Sequence, residues 1–160
     1  MKLLKFLPNR VWRVYRGGTC LDRLRGIANP ADGSFPEEWI ASTVAAQNPQ
    51  RDCPGEGISR VLLPDGSAER FDRMLEREAE TLLGPDHPAS AGRTPGFLTK
   101  LLDSAIRLPV QAHPDREASR RLFCSPYGKT EAWIVLEGRR INGEEPYLLM
   151  GFNDRFDFEV

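Results

Sequence analysis

Prolines and glycines, 13 and 14 of them in 160 residues, cut this chain into pieces too short for long helices or for a regular alternation of strands and helices. Arg13-Val14-Tyr15-Arg16-Gly17-Gly18 ends in a glycine pair suited to a turn or a close backbone approach, and Asn29-Pro30-Ala31-Asp32-Gly33-Ser34 reads as a loop. Between that loop and Asn48-Pro49, the Trp, Ile, Thr and Val content of Glu37 to Val44 predicts a strand. A loop over 48–57 and the turn Pro64-Asp65-Gly66-Ser67 leave Ile58 to Leu63 as another short strand.

One segment is helical by its spacing. Phe71, Met74, Leu75, Leu82 and Leu83 share a face, and Gly84-Pro85 supplies the stop. Residues 86–95 read as a polar loop carrying His87 at the surface, whereas periodicity leaves 97–109 open between helix and strand. Pro109 and Pro114 bracket Val110-Gln111-Ala112-His113 and exclude a helix interior, so Gln111 and His113 are expected on one face of an extended strand. Asp115 to Phe123 predicts a short helix with Asp115 as its cap and Ala118 and Leu122 on one side.

Strands dominate the rest. Lys129 to Glu137 follows the Ser125-Pro126-Tyr127-Gly128 turn and alternates so that Lys129, Glu131, Trp133 and Val135 share a face. Asn142-Gly143 signals a hairpin, with 147–152 as the returning strand. These segments predict one domain over 1–160, mainly β with short helices (α+β), arranged as a sandwich or barrel.

Lys plus Arg is 22 against 23 Asp plus Glu, a net charge of -1 that lacks the field a nucleic-acid or anionic-membrane binder carries. Met1 to Pro8 is too short and interrupted for a signal peptide, and no window supplies the roughly 20 apolar residues of a spanning helix. The expected location is therefore cytoplasmic. Cys20, Cys53 and Cys124 form no CxxC pair and are expected as reduced thiols behaving as small buried apolar residues. With two histidines in the sequence, His87 and His113, a metal site within this chain must draw on carboxylates or amides.

The residues richest in chemistry are Gln111, His113, Lys129 and Glu131. Neighbouring strands could bring an imidazole, an amide oxygen and a carboxylate to one divalent ion. The same residue types also make ordinary ion pairs or an exposed polar face. Trp39 and Trp133 stand between two roles, walling a sugar pocket or packing in the core. Arg10, Arg13, Arg16, Arg23 and Arg25 read as a solvated or partner-contacting face.

Pro109-Val110-Gln111-Ala112-His113-Pro114-Asp115, followed by Tyr127-Gly128-Lys129-Thr130-Glu131-Ala132-Trp133, resembles the two metal-binding motifs of type I mannose-6-phosphate isomerases. Phe97 to Asp103, Glu37 to Ser42 and the Tyr15 to Gly18 turn fall in the same order as in short bacterial members. The resemblance implies the N-terminal portion of such an enzyme, with an incomplete cupin-like β-sandwich or jelly roll. It implies one zinc ion per site, held by Gln111, His113 and Glu131. The family's fourth ligand, a second histidine, and a catalytic arginine both lie further downstream, and this sequence has neither up to Val160.

On this pattern the reaction is an aldose–ketose isomerisation, mannose 6-phosphate to fructose 6-phosphate, in which a proton moves between C2 and C1 through an enediol. Charge develops on the sugar oxygens, and a cation beside them lowers the barrier. Lys129 is the candidate catalytic residue, for acid–base work or substrate contact. Lys100 and Ser104 are candidates for binding the phosphoryl group, and Glu38 for reaching the same pocket. A sugar phosphate is thus the expected small-molecule partner, and unpaired strand edges point to a homo-oligomer. A non-catalytic metal- or sugar-phosphate-binding cupin module is the alternative.

Overall fold

The computed structural model describes residues 3–49 and 51–151. It falls into two compact units, the first ending at Ile106 and the second beginning at Arg107. Among the described residues the first unit holds strands β1 (Lys5–Phe6), β2 (Arg10–Val11), β3 (Glu37–Ile40), β4 (Arg60–Leu62), β5 (Ala68–Arg70) and β6 (Thr99–Leu102) with helices α1 (Thr19–Leu24), α2 (Phe71–Leu83) and α3 (His87–Ala91). The second holds one helix, α4 (Arg116–Phe123). The described chain thus combines two small antiparallel sheets with a few short helices, an α+β arrangement.

Two antiparallel sheets of three strands carry the first unit, ordered β1-β4-β5 and β2-β3-β6. Their strands are short because turns interrupt the sequence at nearly every opportunity. β3 ends at Ile40, before the expected Val44, since Ala41 takes a positive φ of 50° and bends the chain out of the ladder. The segment that periodicity left open resolves as strand β6, with Trp39 opposite Lys100 and Glu37 opposite Leu102.

Helix α2 has the bounds its spacing predicts. Its buried residues Phe71, Met74 and Leu75 close over Val61 of β4, joined by Phe6 and Leu63. Phe6 and Phe71 meet edge to face with ring centroids 5.0 Å apart. Each buried large apolar side chain here is worth about 2 kcal/mol of transfer free energy. Ser59, fully buried, links the sheets: its Oγ accepts from Asn9 Nδ2 at 3.2 Å and from the Ser42 amide at 2.9 Å.

Several expectations are corrected. His87 opens the short helix α3 instead of lying in a loop, because the preceding Gly84-Pro85 stop lets a new helix start with Pro88 in its first turn. Cys53 and Cys124 are exposed and only Cys20 is half-buried, so two of the three do not pack as small apolar residues. Cys124 ends α4 in the left-handed region with φ 52°. Along α4 it is Ser119 that is buried, while Leu122 is exposed, although Asp115 caps the helix as expected, accepting from the Ala118 amide at 2.8 Å.

The largest departure is in the second unit. Neither 109–114 nor 129–137 forms a strand, and 147–151 forms none; Phe152, the end of the expected return strand, lies outside the described residues. The Asn142-Gly143 turn is present, closed by a single bridge between Ile141 and Glu144. A strand exists only against a partner backbone, and among the described residues 129–137 finds no ladder partner.

Candidate metal and substrate centre

In the second unit, the backbone amide of Lys129 donates to the Pro114 carbonyl at 2.9 Å. Gly128 permits that approach, because a Cβ there would sit 3.0 to 3.1 Å from the Asp115 carbonyl carbon, the Arg116 nitrogen and the Pro114 oxygen. Two motifs 12 residues or more apart in sequence are thereby set side by side. Lys129 Nζ donates to Gln111 Oε1 at 3.1 Å and lies 3.4 Å from Glu131 Oε1. His113 Nε2 lies 2.9 Å from Glu131 Oε2, which also accepts from Trp133 Nε1 at 3.2 Å.

All four expected residues of this centre therefore meet although neither segment forms a strand. Glu131 is the electrostatic focus. Partial burial pulls its carboxyl upward, but the His113 hydrogen bond and the Lys129 charge outweigh burial and hold it below the ordinary glutamate value. The side chains of His113 and Glu131 are 29% and 25% exposed, so an ion or sugar arriving from solvent can reach them. Trp133, 49% exposed, is not a core residue here.

No group of three His, Cys, Asp or Glu side chains gathers among the described residues. The set here has one imidazole and one carboxylate, and the Gln111 amide oxygen is its third donor. Nitrogen and oxygen donors of these kinds suit zinc, and a three-ligand set leaves coordination open for substrate or water. The residues present thus fit the metal that the motifs imply.

The first unit holds a second polar centre that the sequence reading overlooked. Glu37, buried at 3% exposure, accepts the Tyr15 hydroxyl at 2.5 Å and lies 3.3 Å from Lys100 Nζ through Oε1; through Oε2 it accepts Trp39 Nε1 at 2.7 Å and lies 3.1 Å from an Arg13 guanidinium nitrogen. Burial alone would raise its carboxyl, yet these partners together lower it. Burial first, then the Glu37 hydrogen bond and charge, push the Tyr15 phenol well above its usual value. Strand alternation was the available signal, since it puts Glu37 on the face of Trp39 and sends Glu38 to the other.

The expected substrate residues are dispersed within this unit. Lys100 belongs to the Glu37 centre. Glu38 is buried with both carboxylate oxygens engaged by Arg25, Nε at 3.2 Å. Ser104 Oγ turns back on its own chain and donates to the Ile106 carbonyl at 2.7 Å. Trp39 is buried, 5% exposed, with the Arg13 guanidinium 5.0 Å from its ring centroid, and it also borders a cleft lined by Trp12, Val14 and Asn48.

In sequence, the chain is similar to isomerases as a class. More particularly, it is 26% identical over 145 residues to the mannose-6-phosphate isomerases of Salmonella typhimurium and Escherichia coli, alignments that take in 91% of this chain and 32% of each relative. It is 29% identical over 128 residues to a probable mannose-6-phosphate isomerase of Bacillus subtilis, covering 80% of this chain and 34% of that relative. The chain thus spans about a third of the length of the curated relatives it matches. No family model matches the sequence, and no solved structure matches it. No helix among the described residues is long and apolar enough to cross a membrane.

Proposed function

We propose that this chain is the N-terminal portion of a mannose-6-phosphate isomerase and carries most of its zinc centre. The observation behind the reading is the meeting of Gln111, His113, Lys129 and Glu131 within hydrogen-bond distance, in a chain whose relatives bear that name. Gln111, His113 and Glu131 would hold the ion, which when bound supplies a positive charge to stabilise the enediolate oxygens. Two neutral donors and one carboxylate leave that charge largely uncancelled. The remainder of a cupin jelly roll would complete the fold.

Lys129 Nζ, which contacts Gln111 and Glu131 in the absence of an ion, is the proposed proton carrier or substrate contact once the ion is in place. In the isomerisation, the proton leaving C2 of mannose 6-phosphate is delivered to C1, and the hydroxyl proton on O2 passes to O1, so the atoms balance without an oxidant. Lys100, expected as a phosphoryl contact, is ion-paired with the buried Glu37 at 3.3 Å within the first unit, and its phosphoryl role is part of the proposal. Glu38 and Ser104, each engaged within the protein, are less suited to the roles first expected of them.

A coupled assay of mannose 6-phosphate turnover with added zinc tests the proposal, with a Gln111→Ala/His113→Ala/Glu131→Ala control. Activity that vanishes in the control supports an isomerase. Zinc and sugar-phosphate binding without turnover favours the second reading, a non-catalytic cupin module, for which the downstream position of the family's second histidine speaks.

A further inference from the structure

On the reading that Gln111, His113 and Glu131 form a metal set, we infer that Lys129 is the set's built-in counter-cation, its ammonium group standing where a divalent ion binds and leaving when the ion arrives. Lys129 Nζ is shared between Gln111 Oε1 at 3.1 Å and Glu131 Oε1 at 3.4 Å, two of the three donor groups. Glu131 Oε2 is taken as well, by His113 Nε2 at 2.9 Å and by Trp133 Nε1 at 3.2 Å. Each donor side chain is thereby satisfied inside the protein.

Metal loading is then an exchange and not an insertion. An ion that bonds oxygen at about 2.0 to 2.2 Å cannot share both oxygens with an ammonium group already in contact with them. Two cations at that separation also repel, and at a half-exposed site the repulsion is moderate but not screened away. The Lys129 side chain, 50% exposed, has a solvent path along which to withdraw. While in place it keeps the donor oxygens facing one another without an ion, so the centre is organised before metal arrives and loads only when the metal outcompetes it.

Titration calorimetry with zinc chloride on the full chain tests this. Lys129→Met, which keeps the stem and removes the charge, is expected to bind zinc about tenfold more tightly than the wild type, while Lys129→Arg, which keeps the charge, stays near wild type. Reductive methylation read by mass spectrometry gives a second measure: Lys129 is expected to label faster after zinc is added. Equal zinc affinity in the wild type and Lys129→Met, with binding lost in the Gln111/His113/Glu131 triple-alanine protein, overturns the counter-cation and leaves the metal set standing. Zinc binding in none of the proteins overturns both.

Discussion

Glu37 accepts the Tyr15 hydroxyl at 2.5 Å, and the two side chains move each other's protonation in opposite directions, the carboxyl down and the phenol up. A carboxyl lowered in the folded state stabilises the protein fully above its unfolded value, near 4.3, and the benefit disappears as pH falls through the folded value. Glu37→Gln is therefore expected to be less stable at pH 7 by about 2 kcal/mol and to lose less stability on acidification than the wild type. Tyr15→Phe removes one of the groups that lower Glu37 and is expected to move the acid transition to higher pH. Urea unfolding from about pH 7 down to pH 3 reads both effects. Parallel pH curves for wild type and Glu37→Gln would show that the carboxylate contributes nothing by its charge.

Gly17 is a second point where the fold leaves no alternative. A Cβ on it would lie 1.9 Å from the Asp103 carbonyl oxygen, a backbone atom that cannot swing aside. The same loop receives Asp103 Oδ2, which accepts the Gly18 and Cys20 amides at 3.1 and 2.7 Å and so caps α1. Gly17→Ala is expected to cost about 3 kcal/mol, and Asp103→Ala about 1 kcal/mol, in denaturant unfolding. A Gly17→Ala protein as stable as the wild type would mean that the two segments do not approach this closely.

The core cluster gives a stability reference. Leu75 is fully buried against Phe71, Met74 and Val61. Leu75→Ala is expected to cost about 3 kcal/mol through lost transfer free energy and the cavity left behind. A loss below about 1 kcal/mol in urea unfolding would place α2 outside the cooperative core.

What was legible in the sequence was whatever a short stretch specifies by itself. The spacing from Phe71 to Leu83 with Gly84 after it defines α2, Asp115 caps α4, and Asn142-Gly143 turns as expected. The pairing of the two motifs was legible only in part: the residue types of Gln111, His113, Lys129 and Glu131 marked them as chemistry-bearing, and it is the Lys129 amide bond to the Pro114 carbonyl that brings the two segments together. Strand formation over 129–137 was not legible, because β propensity reports fitness for a sheet and not the presence of a neighbour. Glu37 was passed over because two adjacent glutamates look alike in sequence, and only the pairing of β3 separates the one held by Tyr15 and Lys100 from the one held by Arg25.

The missing ladder leaves a mark on the surface. In the second unit Ile134, Val135, Leu136, Leu148, Leu149 and Met150 are exposed, in segments whose residues are suited to a buried sheet. Clusters of exposed apolar side chains recruit other chains. The chain is therefore expected to self-associate in solution, eluting above its 18.0 kDa mass in light-scattering chromatography. Ile134→Lys combined with Leu136→Lys, two exposed apolar positions, is expected to shift it toward monomer while leaving the unfolding of α2 unchanged. A wild-type chain that elutes as a monomer at high micromolar concentration would overturn the expectation, and so would a double variant that associates as strongly as its parent.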